Sequence, residues 1–298
     1  MLKPPLQPML LSVKEKPFNS KKYLFEFKWD GFRCLLYKKN DDIYLQSRNN
    51  NDLTSYFSEL KQLKKIITAD NVILDGEICY FSSDGKQDFS KLQKRLKSNK
   101  KFIEKKYKTT FIVWDIISLN NTPLHKLALM ERKEQLKNVI SKENQFLQLS
   151  PYILHKGEKL YSLAKDKDME GIVAKKIYSP YLFSRSQYWY KIKIWRYKDV
   201  LIGGFSINQD FLLVGIKNKY VNSKLNYMGK VKIALNKAEK TALFNFLPSI
   251  TTKTKTFPGK LNIDNIEWVK PKIKIKVRYT EITNKNHFRH GYAVELLI

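Results

Sequence analysis

Between Tyr23 and Trp29 every second residue is aromatic: Tyr23, Phe25, Phe27 and Trp29. The pattern then stops at Asp30-Gly31. Successive side chains of a β-strand point to opposite faces, so the four aromatics share one face while Glu26 and Lys28 share the other. Asp-Gly marks the turn that follows. The aromatic face demands a core, and it leaves Lys28 at the strand end with a carboxylate on its own face and another beside a flexible glycine. Burial there would strip hydration from the ammonium, lower its pKa and release the free amine, which is the nucleophilic form. The plainer reading is a hairpin strand with a solvent-facing lysine, which a chain with 56 Lys and Arg readily supplies.

Charge narrows the partners. Lys and Arg number 56 against 28 Asp and Glu, a formal net charge of +28, and polyanions, nucleic acid first, are the expected partners. An anionic membrane competes, but no basic amphipathic helix of the lipid-surface type is legible. No apolar run approaches the ~18 residues of a membrane span, and Pro4, Pro5 and Pro8 stand where a signal-peptide core would be. The chain is expected in the cytoplasm as a monomer, without membrane contact. Cys34 and Cys79 read as reduced core residues, not a disulfide framework. The four histidines have no zinc-ligand spacing with them. No Gly-x-x-x-x-Gly-Lys-Ser/Thr loop occurs, so any nucleotide is held another way.

Residues 1 to about 20 read as an irregular lead-in, and 34–37 and 43–47 as strands joined through Asn40-Asp41-Asp42. Thr54 is placed to cap a helix with apolar positions Phe57, Leu60, Leu63 and Ile67. Residues 72–81 form a buried strand in which Asp75 and Glu77 share a face. A carboxylate in so apolar a run is costly unless it is paired, binds a metal or emerges at a strand end. Phe89, Leu92 and Leu96 predict a helix with Lys91, Lys94, Arg95 and Lys97 outward, 111–117 a core strand, and 123–140 an amphipathic helix. Glu170-Gly171 precede another apolar strand, and Lys191 and Lys193 share a face with Trp189 on the next. Alternating lysines ordinarily mean a solvated face or a protected edge.

After about Arg196 short strands take over, at 201–205, 211–216, 227–233 and 266–279, with one helix near 237–246, a pattern compatible with a small barrel. Lys270, Lys272, Lys274, Lys276 and Arg278 make a comb of charge suited to tracking a phosphate backbone or guarding an edge. Some 298 residues, 43% of them hydrophobic, suffice for two cores.

Five stretches follow in order: Lys28-Trp29-Asp30-Gly31-Phe32-Arg33, Ser47-Arg48-Asn49, Leu74-Asp75-Gly76-Glu77, Glu170-Gly171-Ile172-Val173-Ala174-Lys175 and Lys191-Ile192-Lys193. Together they resemble the ordered motifs of the covalent nucleotidyltransferases, and among these the ATP-dependent DNA ligases. Ser179-Pro180-Tyr181, Ile202-Gly203-Gly204, Trp268-Val269-Lys270-Pro271 and Arg278-Tyr279-Thr280-Glu281 look most like the ligase domain of bacterial non-homologous end-joining ligases. The resemblance implies an α+β chain: an adenylation (nucleotidyltransferase) domain over 1–196, with ATP-grasp-like antiparallel sheets and helices, then an all-β OB-fold barrel over 197–298.

The same resemblance implies that Lys28 attacks the α-phosphate of ATP, that AMP passes to a 5′-phosphate at a nick, and that the 3′-hydroxyl displaces it. Arg33 and Arg48 would hold phosphates. Glu77 and Glu170 would contact the ribose and hold Mg2+, with Mn2+ as the substitute. Glu26 would lie near the adenine, Trp114 against it, and Lys191 and Lys193 would neutralise transition-state charge. Arg289 would assist departure of pyrophosphate; the family usually has proline where this chain has Gly291. Nicked double-stranded DNA is the implied substrate and a Ku-like end-binding protein a candidate partner. No polymerase or phosphoesterase module accompanies the motifs, so a stand-alone ligase is expected. Two readings compete: an RNA ligase or capping guanylyltransferase, against which the Ser-Pro-Tyr and Trp-Val-Lys-Pro stretches speak, and a non-catalytic nucleic-acid binder, against which the intact charged motif residues speak.

Overall fold

Apolar runs broken by single turns dominate the first two-thirds of the chain, and they pair into two sheets. The computed structural model describes residues 2–97, 108–206, 208, 211–218, 224–259, 261, 263–283 and 285–297. It divides into two units, Met1–Ile194 and Trp195–Ile298. The elements of the first are β1 (Leu10–Val13), β2 (Tyr23–Phe27), β3 (Phe32–Lys39), β4 (Asp42–Ser47), a 3-10 helix (Ser58–Lys65), β5 (Asn71–Phe81), α1 (Phe89–Lys97) and β6 (Lys108–Leu119). Then come β7 (Thr122–Pro123), α2 (Leu129–Asn138), β8 (Leu147–Leu149), β9 (Tyr152–Leu154), α3 (Gly157–Asp166), β10 (Gly171–Lys176) and β11 (Arg185–Lys193).

One sheet has the order β1-β11-β10-β2-β9; the other runs β4-β3-β5-β6-β7, with β8 alongside β6. The second sheet is buried on both faces. Cys34 and Leu36 of β3 enter one apolar cluster with Phe57, Leu74 and Phe111, while Leu35 and Tyr37 enter another with Leu24, Trp114 and Trp189. Burial on both faces explains the near-continuous apolar runs. Along β2 the alternation divides the strand: Phe25 packs with Leu160 and Ala164 of α3, and Leu24 packs with residues of the other sheet. Glu26, on the face of Leu24, is thereby directed between the sheets.

Five sequence readings of the first unit need correction; one is Arg95, expected on the outer face of α1 but buried, with its guanidinium on Glu59 at 2.6 and 2.8 Å. The lead-in contains β1, which pairs in parallel with β11, and Met9 before it is fully buried. The helix after Thr54 is a 3-10 helix without a side-chain cap, and the Thr54 hydroxyl instead accepts the Leu45 N–H at 2.9 Å. Its buried residues Phe57, Leu60, Leu63 and Ile66 are spaced by three, the period that eclipses side chains in a 3-10 turn. The helix expected over 123–140 begins only at Leu129, because Pro123 lies in β7 opposite Ser118. Trp29 leaves the aromatic face of β2: the strand ends at Phe27, and the ring joins the cluster between the sheets.

In the second unit the elements are β12 (Arg196–Ser206), β13 (Phe211–Lys217), β14 (Leu225–Ile233), α4 (Lys237–Phe246), β15 (Glu267–Trp268), β16 (Lys274–Tyr279), β17 (Glu281–Ile282), β18 (Phe288–Arg289) and β19 (Tyr292–Leu297). The strand expected over 266–279 is two, parted at Pro271, which has no N–H to give a ladder. The order β13-β14-β19-β16-β12, closed by pairing of β12 with β13, makes a five-stranded barrel, the architecture of an OB-fold. Asn236 caps α4: its Oδ1 accepts the Glu239 N–H at 2.9 Å while Glu239 accepts the Asn236 N–H at 3.1 Å.

Lys274, Lys276 and Arg278 of the comb lie on β16, which is paired on both sides and guards no edge, while Lys270 and Lys272 precede the strand. Much of the comb is engaged within the barrel. Lys274 pairs with Asp199 at 3.4 Å, Lys276 with Glu295, and the Arg278 guanidinium lies 4.7 Å from the Trp195 ring. Among the described residues no helix is long and apolar enough to cross a membrane.

Candidate active site

Three strands of one sheet converge on Lys28. Its backbone N–H donates to the Gly171 carbonyl at 2.9 Å, just past the end of β2. Gly171 has φ +152°, and a Cβ there would fall 2.2 Å from the Ile192 carbonyl oxygen. Only glycine allows β10 and β11 to close together at this point, and Gly171 stands opposite Lys193. The Lys28 ammonium pairs with one oxygen of Glu170, and Lys193 lies 3.1 Å from the other.

This contact reverses the expectation drawn from burial. Burial does disfavour the charged form of Lys28, but the Glu170 carboxylate, with Glu77 and Asp30 nearby, outweighs it and raises the lysine above its usual pKa. The resting side chain is the ammonium. Burial likewise penalises ionised Glu170, and Lys28 and Lys193 more than compensate, holding its pKa at about 2.

Arg33, opposite Glu77 in the ladder of β3 with β5, carries a second network. Its Nε and Nη2 each donate to Asp75 at 2.5 Å, its Nη2 also to the Met9 carbonyl at 3.2 Å, and its guanidinium lies 4.6 Å from the Trp114 ring. Tyr181 donates to Asp75 at 2.8 Å and accepts the Met9 N–H at 3.0 Å. Of the possibilities open for the two carboxylates of β5, Asp75 is therefore paired. Glu77 has no ion pair among the described residues, and burial pushes its pKa up to about 8. Tyr181→Phe should cost about 1–2 kcal/mol of stability by leaving the Met9 N–H and one Asp75 lone pair unmet. A thermal melt measures that loss; an unchanged melt would show that the hydroxyl holds nothing.

Beside Lys28 opens a small cavity, walled by Glu26, Trp29, Trp114, Lys175, Trp189 and Glu77 among others. Glu26 is buried there between two ammonium groups, Lys133 at 2.5 Å and Lys175 at 2.7 Å. Burial between the Trp114 and Trp189 rings lowers the Lys175 pKa to about 8. A further cavity shares Lys28, Arg33 and Glu77 and adds Arg48, Arg185 and Lys191. The two make a cleft with an aromatic end and a cationic end, the chemistry of a nucleotide site. Burial, with Lys193, Lys28 and Arg185 nearby, lowers the Lys191 pKa.

Glu26, Lys28, Arg33, Arg48, Glu77, Trp114 and Lys191 thus line one cleft, to which Glu170 and Lys193 are tied through Lys28. The lysines of β11 do not guard an edge, since β1 and β10 flank that strand. Arg289 belongs to the second unit, where it pairs with Glu281 at 3.0 Å across β17 and β18. Sequence reasoning missed Arg185, although it falls on the same strand parity as Trp189, Lys191 and Lys193. It also missed Lys133, for which helical periodicity holds no signal.

A carboxylate pair can help hold a hard cation. Among the described residues no three His, Cys, Asp or Glu groups form a metal cage. Mg2+ needs none: one or two carboxylates suffice when substrate phosphates and waters complete the shell. Half-buried Glu77, with no ion pair among the described residues and within reach of the Glu170 charge, fits that requirement.

A nucleotidyltransferase domain followed by an OB-fold domain is the class this fold and site define. Residues 7–193 match the family described as ATP dependent DNA ligase domain and residues 209–296 the ATP dependent DNA ligase C terminal region. The chain belongs to the ATP-dependent DNA ligase family, whose general function is nick sealing. It is similar to the SPbeta prophage-derived DNA ligase-like protein LigB of Bacillus subtilis strain 168, 35% identical over 202 residues, which are 67% of this chain and 72% of that protein. It is also similar to the multifunctional non-homologous end joining protein LigD of Mycolicibacterium smegmatis, 26% identical over 283 residues, covering 91% of this chain but 35% of that protein. The chain spans about a third of that relative. Among solved structures, mycobacterial DNA ligase D complexed with ATP and MES matches with a TM-score of 0.59 and 26% identity, over 98% of this chain and 95% of that one.

Proposed function

We propose that this chain seals 5′-phosphate, 3′-hydroxyl nicks in duplex DNA through a lysyl-AMP formed on Lys28. The observation that carries the reading is the placement of Lys28 at the junction of an aromatic cavity and a cationic one, gripped by Glu170. The base occupies the cavity of Trp114, Trp189 and Glu26, and the phosphates lie toward Arg33, Arg48, Arg185 and Lys191. Once deprotonated, the Lys28 amine attacks the α-phosphorus: an N–P bond forms, the bond to pyrophosphate breaks, and Lys191 and Lys193 balance the charge that develops. Glu77 and Glu170 would hold Mg2+ or Mn2+, which screens the phosphate oxygens. Arg289 is assigned to pyrophosphate departure. Residues 1–196 then act as the adenylation domain and 197–298 as the OB-fold domain. AMP passes to the 5′-phosphate of the nick, and the 3′-hydroxyl displaces it.

α-Labelled ATP or GTP supplied with Mg2+, followed by a denaturing gel, tests this directly. Label from ATP is expected; label from GTP alone would redirect the reading to capping chemistry, and label from neither to a non-catalytic binder. The charge of +28 adds a second expectation: DNA affinity falls steeply with salt, with a log–log slope of roughly −0.9 per phosphate neutralised. A flat response in a filter-binding titration would show that the cations do not touch the backbone. The likeness to end-joining proteins makes a Ku-like end-binding protein the proposed partner, checked by co-purification on DNA ends.

A further inference from the structure

Helix α2 sends into the site one side chain that belongs to none of the ligase motifs. Lys133 is buried, with its Nζ 2.5 Å from Glu26 Oε1 and 3.2 Å from the Trp114 carbonyl oxygen, and 4.8 Å from the Tyr152 ring. The other Glu26 oxygen lies 2.7 Å from the Lys175 ammonium, itself set between the Trp114 and Trp189 rings. Glu26, Trp114, Lys175 and Trp189 wall the cavity beside Lys28, and Lys133 stands behind them as a prop.

The chemistry of the prop follows from what it touches. Glu26 is 1% exposed, and burying a carboxylate is costly unless cations compensate it. Ionised, it accepts hydrogen bonds and donates none, and it keeps lone pairs beyond those the two lysines occupy. A purine bearing a 6-amino group can donate to such an oxygen. A 6-oxo purine presents lone pairs to it instead, and both acceptors go unsatisfied. Without Lys133 the carboxylate loses one cation and its anchor to the Trp114 main chain.

We propose that Lys133 is a positioning residue for base selection: acting through Glu26, it makes Lys28 prefer a 6-amino over a 6-oxo purine triphosphate. The inference rests on the reading of Lys28 as the nucleophile toward ATP. Its test is a concentration series of α-labelled ATP and of α-labelled GTP on the whole chain and on Lys133→Met, Lys133→Arg, Glu26→Gln and the Glu26→Gln/Lys133→Met double variant, each first melted to show that it is folded. In Lys133→Met the ATP concentration for half-maximal labelling should rise, and the ATP-to-GTP ratio should fall about tenfold or more, the size of one lost hydrogen bond to a charged group. The maximal rate with ATP should move far less. Lys133→Arg should restore the ratio, and in the Glu26→Gln background Lys133→Met should shift it no further. A folded Lys133→Met protein with the parental ratio overturns the proposal, as does a further shift in the Glu26→Gln background. If Lys133→Met does not fold, Lys133→Gln, which keeps a donor without the charge, is read by the same outcomes. A parent that takes label from neither nucleotide refutes the Lys28 reading and this proposal together; a labelled parent with an unmoved Lys133 variant refutes this one alone.

Discussion

Lys28→Ala should lower formation of the covalent adenylate by at least about 10^4-fold, the scale on which removing a nucleophile acts, while leaving the fold nearly intact. Stability survives because Glu170 keeps Lys193 at 3.1 Å when Lys28 is gone. Lys28→Arg separates charge from nucleophilicity: the guanidinium preserves the pair with Glu170 but does not lose its proton, so this variant should melt like the parent and take no label. The attacking form is the free amine, and Glu170 raises the Lys28 pKa. The labelling rate should therefore climb with pH through the neutral and alkaline range, and Glu170→Gln should move that rise to lower pH. The same contacts make stability depend on acid. The Glu170 pKa is depressed to about 2, so its contribution is present above the ordinary carboxylate range and is lost as pH falls toward that value. Covalent label on Lys28→Ala, seen on a denaturing gel, would sink the assignment of the nucleophile.

Asp115→Ala should be the most destabilising single change in the first unit. Asp115 and Arg132 are both fully buried, with the guanidinium Nε and Nη2 on the two carboxylate oxygens at 2.8 and 2.9 Å. The remaining nitrogen, Nη1, donates to the Leu127 and Ser179 carbonyls at 2.6 and 2.9 Å. Without the carboxylate a buried guanidinium is uncompensated, at a cost of about 3–5 kcal/mol. For a unit of this size that corresponds to a fall of about 10 °C in the melting midpoint. Replacing both partners, as in Asp115→Leu/Arg132→Met, should recover much of the loss, because no buried charge is left behind. The damage should also reach the cleft. Arg132 ties α2 to the segment carrying Tyr181, which holds Asp75 and so Arg33, and Lys133 is the next residue on the helix. A melt of Asp115→Ala within a degree or two of the parent would show that the pair carries little of this load.

Much of the architecture was legible because periodicity survives into structure. The strands around Cys34, Ile43, Leu74 and Phe111, the helix from Lys237 and the barrel pattern beyond Arg196 all lie close to where alternation placed them. The failures have specific causes. Phe57, Leu60 and Leu63 continue to Ile66 at the spacing of a 3-10 helix and to Ile67 at that of an α-helix, so the sequence fits both periods. The four residues of β1 are too few to show an alternation, and they become a strand only because β11 offers a free edge. The alternation of Lys274 and Lys276 on β16 carries no signal of their partners, Asp199 and Glu295, which come from neighbouring strands.

By itself the sequence determined which residues face together along each strand, the order of the charged motifs and the family they belong to. Tertiary structure alone decided what stands opposite each face. Lys28 is an ammonium rather than a free amine because Glu170, 142 residues away, closes on it through the register of β2 with β10. Glu26 meets its buried cation because Lys133 reaches it from 107 residues away. Strand periodicity reports direction, whereas a protonation state depends on charges within a few ångströms, and only the folded sheets bring those charges together.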